Sequence, residues 1–369
     1  LPVAVIGDHP ERLAQGDKGS EVYIRSCIEL AEVCVKHGHL ERAANSIAEA
    51  STAPSLEDSE RVRLGVTQAL LHLCEGDLVA ARSTIEELGS QSMSAYLSGK
   101  IEGVLAKVDL AEGRSEQGLK GLLKWAEQCL QSGSTGEHVE ALYYVVSANI
   151  RLGRLSDALQ AVYLMGRLVR NKGVLSYNRM TTVAAAKIDI ASGQIQHGRG
   201  RLRALGDLDN AQTIVRLDFI ALRGQVRVFR GDFPAALAAH YRGASEAKDA
   251  GWQARFHFHR AVSSILTGRG GDLEVALKWL SDRGESYLVS HVLGIGAKVG
   301  GGPELLALAV RHAEKAGDIF QLIDALRCSG GEENRERAAE VAKAVLSAST
   351  DEQRTQLLNV SIIKWALGG

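Results

Sequence analysis

The sequence predicts an all-α protein, built as a solenoid of antiparallel helix hairpins that repeat about every 38–40 residues. Three observations lead to this prediction: evenly spaced glycine turns, small residues at fixed distances from each turn, and a composition poor in strand-forming residues. Aromatic residues make up only 5% of the 369 residues, and there are 5 prolines. Such a composition disfavours a strand-rich fold.

Seven short turns consist of Gly, usually followed by a polar and then an aliphatic residue. They begin at Gly38, Gly76, Gly113, Gly153, Gly193, Gly231 and Gly271. The successive spacings are 38, 37, 40, 40, 38 and 40 residues. Such regular spacing indicates stacked repeats rather than one compact core. Each glycine is expected to end a helix in the left-handed conformation.

Small residues flank each turn. Five residues after the glycine stands Ala or Gly, and seven residues before it stands another small residue in all but one repeat, where Val146 replaces it. Two small residues allow antiparallel helices to approach closely. The seventh turn fits if Gly268 ends the helix and residues 269–271 lengthen the turn. The predicted hairpins therefore cross at Ala31/Ala43, Ala69/Ala81, Ala106/Gly118, Val146/Ala158, Ala186/Gly198, Gly224/Ala236 and Ala261/Ala276.

This pattern resembles the tetratricopeptide repeat (TPR) family over about residues 20–285. A third small residue of the family survives as Ala50 and Gly243 but is lost in four other repeats, and the period exceeds the usual ~34 residues. Long-period repeats of this kind resemble those of large bacterial ATPase-regulator signalling proteins of the STAND, maltose-regulator type. The resemblance implies a right-handed superhelix.

Three regions are expected along the chain. Residues 1–19 are the N-terminal end of a truncated segment, 20–284 form seven TPR-like repeats, and 285–369 form divergent helical repeats with a capping helix near Ser349 or Thr350. The chain begins at Leu1 without an evident export signal. It is therefore expected to be part of a longer cytoplasmic polypeptide with further domains.

Composition and motifs argue against several function classes. A net charge of −1 gives no overall attraction to nucleic acid or anionic membranes. The five cysteines lack C-x-x-C spacing and fall mostly in apolar helical patterns, which indicates buried free thiols in a reducing compartment. Cys27 and Cys34 share a helix face, but no residue completes a metal ligand set. No cofactor or metal is predicted.

No catalytic motif is present either. The glycine-rich segments 268–271 and 300–302 lack the Lys-Ser/Thr of a phosphate loop. His257 and His259 are two residues apart, so they point to different faces of a helix. The sequence therefore predicts a protein that is not an enzyme.

The resemblance implies that the first helix of each hairpin lines a concave groove. At the groove-facing positions this sequence carries eight basic and three acidic residues, an excess of five positive charges in a chain whose total is −1. The basic residues are Arg25, Lys36, Arg63, Lys100, Lys107, Arg151, Lys187 and Arg255, and the acidic ones are Glu32, Glu140 and Asp218.

We therefore expect an interaction scaffold that binds a protein or peptide segment, acidic or mixed acidic-apolar, along a basic concave groove. The predicted contact residues are Arg63, Lys100, Lys107, Tyr143, Arg151, Lys187, Gln225 and Arg255. Reversing Lys107 and Lys187 to Glu should slow association and leave the thermal midpoint nearly unchanged.

Two alternatives stay open. The basic residues could merely solvate a helical face. The chain could also be a ligand-sensing domain of a larger signalling ATPase or transcription regulator, and a Trp/Tyr-lined pocket would favour that function over the scaffold.

Overall fold

The computed structural model describes residues 21–53, 56–88, 94–206, 208, 211–347 and 349–368, so the predicted N-terminal segment 1–19 lies outside the described residues. Within the described residues there is no strand, which confirms the all-α class. The helices are α1 (Glu21–His37), α2 (Leu40–Ser51), α3 (Asp58–Glu75), α4 (Leu78–Leu88), α5 (Ala95–Ala111), α6 (Ser115–Ser132), α7 (Thr135–Arg151), α8 (Leu155–Asn171), α9 (Asn178–Ala191), α10 (Ile195–Ala204), α11 (Thr213–Phe229), α12 (Phe233–Asp249), α13 (Gln253–Thr267), α14 (Gly270–Asp282), α15 (Ser286–Lys298), α16 (Pro303–Ala316), α17 (Ile319–Ser329), α18 (Glu332–Ser347), α19 (Asp351–Leu357) and α20 (Ser361–Ala366).

Consecutive helices from α1 to α18 pair as nine hairpins, each packed on the next. The predicted crossings are confirmed as buried, since Ala31, Ala43 and Ala158 have no exposed surface. At Gly118 a Cβ atom would lie 2.8 Å from Leu110 Cδ2, so only glycine fits this crossing without a shift. Small residues thus set the distance between the two helices of a hairpin.

The seventh turn differs from the expected one. Gly268 ends α13 with φ of 71°, as predicted. However, α14 begins at Gly270, so Gly270 and Gly271 belong to a helix and do not lengthen the turn. Ala261 and Ala276 are nevertheless buried at the crossing.

The superhelix closes on itself after five hairpins. Helix α1 packs against α11, α3 against α13 and α5 against α15. The turn glycines lie in this seam: a Cβ on Gly113 would come within 2.9 Å of Ala316 Cα, and one on Gly38 within 2.7 Å of Ala250 Cβ. Each superhelical turn therefore packs on the next, and the concave face of the repeats lines a cavity inside the superhelix.

The C-terminal helices continue the solenoid. Helix α20 packs against α17 and α18, and α19 packs against α8. Helix α19 begins at Asp351, close to the expected start of the capping helix. The boundary at residues 284/285 remains a prediction, and the α5–α15 contact crosses it.

Candidate functional site: the central cavity

A cavity of about 390 Å³ lies inside the superhelix. The odd-numbered helices from α3 to α17 supply most of its wall, as the TPR resemblance implied for the first helix of each hairpin. Aromatic side chains occur on all sides of it: Tyr143, Tyr144, Phe229, Trp252, Phe258, Tyr287 and Phe320. The volume falls in the range of small-ligand pockets.

The structure places the predicted contact residues in two locations. The cavity wall contains Lys107, Tyr143, Arg151, Lys187, Gln225 and Arg255. Arg63 and Lys100 lie outside this wall, where they bind Glu32 at 3.1 and 3.0 Å.

Asp218 is the centre of one buried charge network. Its carboxylate lies 2.6 Å from Lys187 Nζ and 3.1 Å from Arg255 Nη2, and the Tyr143 hydroxyl donates to it at 2.5 Å. Burial alone would raise the pKa of Asp218, but Lys187 and Arg255 lower it to about 2. Asp218 is therefore ionised, and the network holds α7, α9, α11 and α13 together.

Glu140 forms the second network. It lies 2.9 Å from Lys107 Nζ and 3.2 Å from Lys36 Nζ. Burial opposes ionisation, yet the two lysines lower the pKa of Glu140 to about 2. Lys107 also sits 4.7 Å from the ring centroids of Trp125 and Tyr144.

A third network joins Lys298 and Arg327 to Asp324 at 2.5 and 2.7 Å. Most cationic groups of the wall thus have carboxylate partners within the protein. Reversing Lys107 and Lys187 to Glu is therefore expected to lower the thermal midpoint, unlike the nearly unchanged midpoint expected from the sequence, since each reversal would place two carboxylates side by side in a buried site.

Arg151 differs from the other cationic groups of the cavity wall in its surroundings. It is 8% exposed, and no carboxylate of the described residues lies within ion-pair distance. Its Nη1 donates to the Leu110 carbonyl at 2.6 Å, its Cζ lies 3.3 Å from the Tyr287 ring centroid, and its Nε has no hydrogen-bond partner among the described residues.

Two carboxyl groups of the wall also lack a cationic partner within the described part of the chain. Glu285 is 4% exposed, and burial raises its pKa to about 7 although Arg255 and Arg151 oppose this. Asp318 caps α17 by accepting from Gln321 N at 3.0 Å, and burial raises its pKa to about 6.

Sequence reasoning missed Glu285, Tyr287 and Asp318 because they follow the region where the repeat pattern is regular. The sequence nevertheless contains a signal for Glu285 and Asp318. Gly284-Glu285 and Gly317-Asp318 repeat the Gly-polar turn that precedes the earlier helices, and both glycines have positive φ.

The remaining titratable groups give no metal site. Among the described residues no cluster of His, Cys, Asp and Glu could hold a metal ion. His240 and His259 face each other, with 3.0 Å between their Nδ1 atoms, and both are fully buried. Cys27, Cys34, Cys74 and Cys129 are buried free thiols, as predicted. None of the described helices is long and apolar enough to cross a membrane.

Comparison with known proteins supports the fold. No family model matches the chain, and no curated protein matches it by sequence. The chain is similar to the structure of a Rap protein complexed with competence and sporulation factor, with a TM-score of 0.61 and 10% identity over 94% of this chain and 93% of that one. A structure of NprR in complex with its cognate peptide NprX also aligns, with a TM-score of 0.49 and 14% identity over 92% of this chain and 98% of that one. The similarity to the Rap structure, together with the nine stacked hairpins, shows a TPR-like helical-repeat fold.

Proposed function

We propose that this protein is a regulatory binding protein that holds a short peptide inside its superhelix. The observation that carries the proposal is the cavity of about 390 Å³ inside the superhelix, whose wall combines aromatic rings with charged groups. Aromatic surfaces bury apolar side chains, and the polar groups orient a backbone. The similarity to a Rap protein complexed with competence and sporulation factor supports this function, because that protein has the same architecture.

The size of the cavity favours ligand sensing over an extended scaffold. An open groove would accommodate a long partner segment, whereas this cavity suits a ligand of a few residues. A link to signalling ATPases of the maltose-regulator type remains a prediction. Of the predicted contact residues, we assign Tyr143 and Gln225 to ligand contact and Lys107, Lys187 and Arg255 to holding the wall in place.

Affinity selection tests the proposal. The protein is incubated with a synthetic library of random pentapeptides, separated by size exclusion, and the retained peptides are identified by mass spectrometry. Ala221→Phe fills the cavity, because Ala221 lies in its wall. Val275→Phe is the matched control, since Val275 is 60% exposed on the outer helix α14.

The wild type and Val275→Phe should retain the same peptides, and Ala221→Phe should retain none while keeping its helical circular dichroism. If Ala221→Phe retains the wild-type set, the peptides bind elsewhere and the proposal is wrong. If the wild type retains no peptide, but the same cavity variant blocks binding of a small aromatic molecule, the ligand is not a peptide.

A further inference from the structure

The charged groups of the cavity wall fall into two classes. In the first class Lys107, Lys187 and Arg255 each lie within 3.1 Å of a carboxylate. In the second class Arg151, Glu285 and Asp318 are at least nine-tenths buried without an ion-pair partner among the described residues, but Asp318 already caps α17. The first class stabilises the wall, and the second has unmet electrostatic and hydrogen-bonding capacity directed at the cavity.

Burial of an ionisable group without a partner is strongly unfavourable, so such groups concentrate where a ligand completes them. Arg151 is also held rigidly, since the Leu110 carbonyl accepts from one terminal nitrogen and the Tyr287 ring covers the guanidinium face. A guanidinium fixed in this way offers its remaining N–H groups in a fork that matches a carboxylate.

The second class lies at the seam of the superhelix. Arg151 ends α7 in the fourth hairpin, whereas Glu285 directly precedes α15 in the eighth. Both line the same cavity. The groups that act on Glu285 are Arg255, Arg151 and Glu112, and none of them forms an ion pair with it. A ligand at this place can therefore contact a cation and a carboxyl group that belong to two successive superhelical turns.

We propose that Arg151 binds a carboxylate of the ligand and Glu285 binds its cationic group, so that the ligand is a zwitterionic short peptide lying across the seam between α7 and α15. This inference rests on the proposed function and specifies its ligand. The carboxylate is either the peptide C-terminus or an Asp/Glu side chain. The cationic group is either the N-terminus or a Lys/Arg side chain.

The test uses Arg151→Met with the pentapeptide library in three forms: with free C-termini, with amidated C-termini, and with Asp and Glu omitted. Arg154→Met is the matched control, because Arg154 directly precedes the outer helix α8, and its side chain is 40% exposed and pairs with Glu116. For the strongest wild-type binders, Arg151→Met should weaken binding at least about tenfold, since a charge-assisted hydrogen bond is lost. Arg154→Met should bind as the wild type does.

The library forms identify the source of the carboxylate. Loss of wild-type binding on amidation indicates the C-terminus, and loss on omission of Asp and Glu indicates a side chain. Glu285→Gln should remove the wild-type preference for peptides with a cationic group. Glu274→Gln, at an exposed position of α14, is the control and should keep that preference.

An Arg151→Met variant that binds the same peptides with unchanged affinity and the same preference for a carboxylate overturns this inference and leaves the proposed function intact. A wild type that retains no peptide overturns both.

Discussion

Lys187 and Arg151 are both basic residues that the sequence placed in one groove, yet their surroundings differ. Lys187 lies 2.6 Å from Asp218, 3.0 Å from Ser147 Oγ and 4.1 Å from the Tyr143 ring centroid. Arg151 contacts a backbone carbonyl and an aromatic ring, and no carboxylate of the described residues lies within ion-pair distance of it. Lys187 therefore contributes to stability, and Arg151 is kept at a cost to stability.

We expect Lys187→Met to lose about 3–5 kcal/mol of unfolding free energy, because it leaves Asp218 buried with one of its two cations removed. Arg151→Met should be as stable as the wild type or more stable, because it replaces an unpaired buried charge by an apolar chain of similar length. Urea denaturation of both variants measures this. Equal losses in the two variants would show that Arg151 is paired in solution.

The raised pKa of Glu285 implies that the free energy of unfolding depends on pH. Burial raises the pKa of Glu285 from 4.5 in the unfolded chain to about 7 in the folded state. The folded state thus binds the proton more tightly, so this residue lowers stability as pH rises from about 4.5 to 7, by at most roughly 3 kcal/mol. Glu285→Gln removes the effect. The thermal midpoint of Glu285→Gln should exceed that of the wild type by more at pH 8 than at pH 5. An equal difference at the two pH values would show that folding does not raise the pKa of Glu285.

Individual contacts of the cavity could be predicted only in part. The TPR pattern predicted Lys107, Tyr143, Arg151 and Lys187 at groove-facing positions, and all four lie in the cavity wall. Their partners could not be predicted, because Asp218 meets Tyr143 from 75 residues away. Which basic residue lacks a carboxylate depends on such distant contacts.

At the level of the hairpin, two glycines distinguish the effect of packing on stability from the effect of helix propensity. A Cβ on Gly118 would lie 3.0 Å from the Ala106 carbonyl of the facing helix, whereas a Cβ on Gly200 in α10 would meet nothing within 4 Å. Both glycines lie inside helices, where Ala has the higher intrinsic propensity.

Gly118→Ala should therefore destabilise the protein by about 1–3 kcal/mol through overpacking. Gly200→Ala should stabilise it by about 0.5–1 kcal/mol through helix propensity. Thermal unfolding of the pair measures the difference. If both substitutions stabilise, the α5–α6 crossing has room for a methyl group.

Local spacing was sufficient to predict the hairpins. Gly turns and small residues on both sides are local features, and the crossing at Ala158 is buried as expected. The start of α14 at Gly270 could not be predicted in this way, because Gly271 matched the period and also lies within a helix.

At the level of the whole molecule, the closure after five hairpins defines the cavity. Gly113 has φ of 88° and lies against Ala316 of the eighth hairpin. Gly133 has φ of 74°, and a Cβ added to it would have no other atom within 4 Å. The two glycines thus have similar backbone conformations but differ in their contact with the next superhelical turn.

Gly133→Ala should cost only the left-handed strain of roughly 1–2 kcal/mol. Gly113→Ala should cost more and should also enlarge the radius of gyration in small-angle X-ray scattering, because the seam must open. Unchanged scattering, with equal stability losses in the two variants, would indicate that the seam is not closed in solution.

The closure could not be predicted from the repeat pattern. It results from the small rotation between neighbouring hairpins summed over five of them, and that rotation depends on side-chain volumes across every interface. A period of 38–40 residues determines the length of each hairpin but not the angle between neighbouring hairpins. The repeat pattern therefore predicted a concave groove but not the packing of one superhelical turn on the next.

A crystal structure of the protein with its strongest selected pentapeptide tests the central claim most directly. We predict density for the peptide inside the superhelix, with a carboxylate on Arg151 and a cationic group at Glu285. Density on the outer surface, for example against the exposed side chains of Leu159 and Tyr163 on α8, would contradict it.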